Sequence, residues 1–287
     1  MTMQITHSPQ RMFRRLNLSL LLTAALTACQ STPNTSNLER PNTPAPGFNA
    51  ANSDPDAINI ADQVMQNLGG RKAWDNTRYI AWDFFGARHL LWDKQSGDVR
   101  IEFTNRDGNK ITWLMNINTI KGRVTSTKES NIKTDPEILQ QGYQIWINDS
   151  YWLVMPYKLK DSGVTLKYLG ESTTEAGNKP ANLLELTFDS VGITPANKYH
   201  VWVGKSTGLV EQWAYFTNAS EPEPRFTLPW TDWKWYGPPS SRIRLSTGRG
   251  ERTLSQIGIL DRIPDGALTS FNPIDWDRLA TTPSDSP

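Results

Sequence analysis

From Arg78 onward the spacing of apolar residues drops from three or four positions to two, and this constrains the chain more than any other feature. Ile80, Trp82 and Phe84 share one face of an extended segment, with Tyr79, Ala81, Asp83 and Phe85 on the other. Val99, Ile101 and Phe103 then alternate with Asp98, Arg100 and Glu102. Asp107-Gly108 supplies a hairpin turn, and Ile111, Trp113, Met115 and Ile117 return along one face. Consecutive antiparallel strands are the simplest arrangement for such a pattern. Further short strands are expected at 151–155, 164–169, 183–188, 198–203, 209–216 and 231–235, with 205–208 as a hairpin connection.

Helical spacing is confined to a few places. Ser53-Asp54-Pro55 offers a cap and a first-turn proline, Ile58, Ala61, Val64, Met65 and Leu68 follow at helical intervals, and Gly69-Gly70 stops the element. Residues 73–76 make a further short turn of helix. A second long helix is expected from Asp135 and Pro136, with Ile138, Leu139, Gly142, Ile145 and Trp146 along one stripe, where Gly142 weakens it by about 1 kcal/mol relative to Ala. No repeat of 20–50 residues is present. The layout predicts an α+β domain: a large antiparallel sheet with a few helices packed on it.

The N-terminus predicts an address. Arg11, Arg14 and Arg15 precede an apolar run from Leu16 to Leu26, too short for a bilayer span and of the length of a secretory h-region. The run ends in Leu26-Thr27-Ala28-Cys29, which resembles the lipobox of bacterial lipoproteins. That resemblance implies cleavage between Ala28 and Cys29 and acylation of Cys29. Gln30, in place of an aspartate, implies the outer membrane, with the domain facing the periplasm. Cys29 is the chain's one cysteine, which excludes an intrachain disulfide and a cysteine metal cluster. Three of the 30 basic residues and none of the 29 acidic ones lie in 1–28, so cleavage turns a formal +1 into −2, with no basic footprint for nucleic acid. The expected organisation is a signal peptide (1–28), a lipidated Cys and Pro/Ser/Thr/Asn-rich tether (29–55), a folded domain (56–271) and a polar tail (272–287).

Tyr151-Trp152-Leu153-Val154-Met155-Pro156-Tyr157-Lys158-Leu159, the segment 197–203 and Thr207-Gly208-Leu209-Val210, together with the lipobox, the tether and the Gly-Gly helix stop, are similar to a group of uncharacterised envelope lipoproteins related to the LolA/LolB-like carriers. The resemblance spans roughly 56–260. It implies an unclosed β-barrel with helices over an apolar concavity, and a hydrophobic or amphiphilic ligand, a lipid or a lipoprotein's acyl chain. Ile80, Trp82, Phe84, Val99, Ile101, Phe103, Ile111, Trp113 and Met115 are then the candidate cavity wall. The same residues fit a plain filled core, and the sequence leaves both open.

Catalytic signals are sparse. Beyond the leader only His89 and His200 remain, and neither a glycine-rich phosphate loop nor a Gly-x-Ser-x-Gly elbow is present. No metal site or cofactor is expected. Asp83 and Glu102, with Asp93, lie on neighbouring predicted strands and offer a carboxylate pair for glycan hydrolysis, or ordinary acids on a solvated face. Trp230, Trp233 and Trp235 suggest a third reading, a contact surface in an envelope assembly.

Overall fold

A computed structural model describes residues 42–128, 131–189 and 196–287. Helices α1 (Pro55–Asn67) and α2 (Gly70–Asn76) precede strands β1 (Tyr79–Phe84), β2 (Arg88–Asp93), β3 (Asp98–Thr104), β4 (Lys110–Asn116) and β5 (Lys121–Ser126). Helix α3 (Pro136–Val154) follows, then β6 (Val164–Thr173), β7 (Pro180–Phe188), β8 (Lys198–Gly204), β9 (Val210–Phe216) and β10 (Phe226–Pro229). The chain finishes through β11 (Thr231–Tyr236), β12 (Ile243–Arg249), β13 (Arg252–Thr253) and β14 (Ser255–Leu260). The fold is α+β and its sheets are antiparallel and unclosed. They run β14-β1-β2-β3-β4-β5, β10-β9-β8-β7-β6 and β11-β12-β13, so the expected large sheet is distributed over three. Bulges at Ala81/Asp83, Tyr168/Gly170 and Trp202/Val203 bend the strands that carry them.

Each α1 and α3 stripe fits its sequence. On α1 the buried residues are Ala57, Ile60, Ala61, Val64 and Met65, leaving Ile58 half-exposed. Neither Asp54 nor Asp135 uses its side chain as a cap. Asp54 instead accepts from the Tyr168 amide and Lys167 Nζ, both at 3.0 Å, and those bonds hold its pKa below the usual carboxylate value. The strand expected at 151–155 is the last turn of α3 and the start of a 3-10 turn. Ser150, Leu153 and Val154 continue the buried helical stripe of Leu139 and Gly142, and this outweighs the β propensity of Tyr-Trp-Leu-Val.

Gly142 has a positive reason to be glycine. A Cβ there would lie 2.7 Å from Trp113 Cδ1 and 2.9 Å from Met115 Sδ, so its absence lets α3 settle on β4, where Trp113 Nε1 donates to the Ile138 carbonyl at 3.2 Å. Gly142→Ala is therefore expected to destabilise by about 1–3 kcal/mol through overpacking, although Ala is the better helix former. Urea unfolding measures this, and a gain in stability would mean that the helix shifts without cost.

Both chain ends of the described region are more structured than their composition implies. The expected tether is packed from residue 42: the Asn49 amide donates to Val164 O and the Asp54 amide to Leu166 O, while Phe48 rests on the core. The expected polar tail also packs. Leu279 is buried with Tyr79, Ala81, Leu91 and Ala267 in a second cluster on the outer face of β1 and β2, and the Ser284 and Trp235 backbones bond reciprocally. Among the described residues, packing thus continues on both sides of 56–271. These segments escape a periodicity reading because they hold on through backbone groups and single anchors.

Candidate functional site

The inner face of the second sheet carries an aromatic row fixed by register. Tyr199 on β8 lies opposite Tyr215 on β9, which lies opposite Phe226 on β10. Centroid separations are 5.2 Å for Tyr199–Tyr215 and 5.3 Å for Tyr215–Phe226. Two positions back along β9, Trp213 shares the face and stacks on Tyr199 at 5.4 Å. Helix α3 lies across this row and brings Tyr151 to 5.2 Å from Tyr199 and Trp152 to 5.0 Å from Trp213.

Between α3 and the row is a cavity of about 580 Å³, a size that takes one small ligand. Nine of its eighteen lining residues are aromatic and two, Ile147 and Val164, are aliphatic. Burial pushes the Tyr151 and Tyr199 phenols above their usual pKa, so this wall stays uncharged at neutral pH. The lining charges are Lys158 and Asp161, which pair with each other. Three wall groups, Tyr151 Oη, Trp146 Nε1 and Trp213 Nε1, are buried behind neighbouring rings without a hydrogen-bond partner among the described residues. An unmet buried donor costs about 1–3 kcal/mol, so three in one wall is an unusual concentration.

None of the nine candidate wall residues lines this cavity. Ile80, Trp82, Phe84, Val99, Ile101, Trp113 and Met115 are buried in the main core, and Phe103 and Ile111 pack against it. The inner face of β1, β3 and β4 is filled, with α3 seated on β4. Phe84 buttresses the cavity from outside, edge-on to Trp152 at 6.3 Å. The residues that do line it have one sequence signal, the two-residue spacing of Trp213 and Tyr215 on a predicted strand. What selects them over the first sheet is the placement of α3, which residue patterns do not give.

Asp83 and Glu102 sit on the outer face, and both carboxylates are buried there. Asp83 accepts from the Gly86 amide at 2.6 Å and Ser255 Oγ at 3.2 Å. Glu102 is contacted by Arg100, by Lys110 Nζ at 2.9 Å and by Trp276 Nε1 at 3.2 Å. Burial alone would raise the Glu102 pKa, and these three partners together bring it below the usual value. His89 stands between the two acids in register, which puts them two strands apart. Asp93 is tied to Arg78 and to the turn amides of Gln95 and Ser96. Trp230 is buried under the Arg249 guanidinium, 3.4 Å from its ring centroid. Cys29 and Ala28 lie outside the described residues. Among those residues no three His, Cys, Asp or Glu side chains gather as a metal site requires, and no helix is long and apolar enough to cross a membrane.

No family model matches the chain, and no curated protein does. Among solved structures, a DUF1329 family protein from Desulfovibrio piger is similar over 75% of this chain and 98% of its own, at 13% identity and a TM-score of 0.40. The Mycobacterium tuberculosis lipoprotein LppX is similar over 70% and 97%, at 10% identity and a TM-score of 0.27. MucB is similar over 80% and 66%, at 11% and 0.24. At such values the chain's own residues have to carry the functional reading.

Proposed function

We propose that the chain is a lipid-anchored envelope protein that holds a hydrophobic or amphiphilic ligand in the aromatic cavity between α3 and the second sheet. The cavity itself carries this reading: a neutral wall of stacked rings, about 580 Å³ in volume, bordered by a Lys158–Asp161 pair. Apolar surface leaving water for such a wall contributes about 25 cal/mol per Å², so an acyl or ring system gains several kcal/mol on entry. The glycan-hydrolase reading loses support, because Asp83 and Glu102 are both committed to structural bonds and the Glu102 pKa is lowered by its cationic partners, the opposite of what a general acid needs. For an assembly contact through the Trp230–Trp235 region, Trp230 is buried and only the half-exposed Trp233 and Trp235 reach the surface.

Two measurements test this. Uptake of a fluorescent fatty acid by the purified chain, together with native mass spectrometry for co-purified lipid, reads the cavity. Ile147→Trp fills the lumen from α3 and is expected to weaken uptake by about tenfold while leaving the circular dichroism unchanged. No uptake and no co-purified lipid in the unaltered chain would overturn the reading. For the anchor, Cys29→Ala is expected to move the protein from the membrane fraction to the soluble one, since a stable attachment depends on the acyl chains at that residue. An outer-membrane, periplasm-facing location rests on Cys29 and the Gln30 that follows it.

A further inference from the structure

The outer face of the first sheet has a second opening, separate from the aromatic cavity. It is a cleft of about 690 Å³ bounded by Gly86 and Ala87 in the β1–β2 turn, Asn105 and Arg106 in the β3–β4 turn, and Trp276 of the C-terminal segment. Register builds a polar row beneath it: Ser255 lies opposite Asp83, Asp83 opposite His89, and His89 opposite Glu102. Asp83 Oδ2 is 3.4 Å from His89 Nδ1, and Trp276 stacks on the imidazole at 5.0 Å with 19° between planes. The ring thus has a carboxylate near its edge and an indole stacked on its face, and 35% of the side chain remains open.

Charge around this cleft does not balance. Two buried carboxylates, Asp83 and Glu102, face three cations here: Arg100 and Lys110 both meet Glu102, Lys110 Nζ at 2.9 Å, and Arg106 is the third. Arg88 is neutralised by Asp149 through a two-point fork of 2.6 and 2.9 Å. Arg106 is exposed and has no ion-pair partner among the described residues. Three cations therefore stand against two carboxylates around the imidazole, with Lys110 shared between Glu102 and the cleft.

We propose that this cleft binds a phosphoryl group, with Arg106 and Lys110 as its cationic contacts and His89 as a hydrogen-bonding contact. A phosphoryl group presents several charged oxygens at one centre, which suits the planar fork of an arginine combined with the point charge of a lysine. A neutral sugar would leave Arg106 unmatched. The same group occurs as a free anion and as a lipid headgroup, and the site chemistry is common to the two.

Histidine NMR tests this on the full chain in detergent, because the sequence holds only His7, His89 and His200. His7→Asn and His200→Asn assign the three signals. The probes are inorganic phosphate, dihexanoyl phosphatidylglycerol and, as a phosphate-free counterpart, dihexanoylglycerol. The His89 ring signals are expected to move saturably with one or both phosphate probes, while His200, which faces Glu185 on the second sheet at 3.2 Å, stays in place. Movement with the phospholipid alone assigns the group to a headgroup; movement with inorganic phosphate assigns it to a free anion. R106Q combined with K110Q is expected to weaken binding by at least about tenfold with an unchanged circular dichroism spectrum, and R106Q alone by less. A still His89 with both phosphate probes, an equal response to dihexanoylglycerol, or undiminished affinity in the double variant would overturn the proposal.

Discussion

Arg100→Met is expected to destabilise the protein by about 3–5 kcal/mol, the cost of breaking a buried charge pair from one side. Arg100 is completely buried, and each of its three guanidinium nitrogens is used. Nε and Nη2 meet Glu102, Nη1 donates to the carbonyls of Ala267 and Ser270 at 3.1 and 2.7 Å, and Nη2 donates to Asn272 O at 2.8 Å. The substitution leaves one buried carboxylate and three carbonyls short of donors. For a domain of this size the melting temperature should fall by about 10 °C. The C-terminal segment beyond residue 262 should become the first site of proteolysis. Adding Glu102→Gln removes the orphaned charge and should recover part of the loss. Acid provides a second check. Glu102 has a folded-state pKa below its ordinary 4.5, so its contribution is fully present above pH 4.5 and is lost as the pH falls through the folded value. The stability gap between the unaltered chain and Arg100→Met should therefore narrow on acidification below that pH. A gap under about 1 kcal/mol at neutral pH would show that other contacts hold the segment.

Trp213→Ala should cost about 3–5 kcal/mol and also abolish ligand uptake. Trp213 is 1% exposed and touches Tyr151, Trp152, Tyr199, Phe226 and Trp230. It is therefore both the keystone of the ring cluster and a wall of the cavity. Trp213→Phe keeps much of the apolar contact and is expected to lose about 1–2 kcal/mol, with weakened uptake. Denaturant unfolding and the fluorescent fatty-acid titration separate the two effects. Full uptake by Trp213→Ala, in protein shown to be folded, would place the ligand elsewhere.

Residue periodicity was a sound guide where packing is side chain against side chain. The alternation of Ile80, Trp82 and Phe84, and of Val99, Ile101 and Phe103, marks strands that are present, and the Ala61–Val64–Met65 spacing marks a helix that is present. It misled at Tyr151–Val154, where β-formers complete a helix because Leu153 and Val154 fall on its buried stripe. β5, with Val124 as its one buried residue, offers almost no apolar pattern and is held by pairing with β4. The candidate site was less legible than the fold. Strands facing α3 at Gly142 are filled, whereas those facing it at Ile147 and Tyr151 leave a cavity, and the difference lies in how far a helix stands from two sheets. The covering of Asp83 and Glu102 was hidden for another reason. Its main fastener is one arginine reaching backbone carbonyls more than 160 residues away, and backbone carbonyls have no sequence signature.

The two ends of the described chain solve a problem that an unclosed sheet creates. Strand edges with free amide and carbonyl groups invite pairing with other chains and growth into aggregates. On the β6 edge, Asn49 and Asp54 bond Val164 and Leu166, and the side chains of Ser53 and Asp54 take the Leu166 and Tyr168 amides. Thr281 bonds Ile257 on β14, Ser284 closes on Trp235 of β11, and Lys133 closes on Val124 of β5. These short plugs occupy strand edges that would otherwise be free to pair. A protein trimmed to residues 56–271 would keep its main core, but it would lose Leu279 from the second cluster and expose sticky borders on all three sheets.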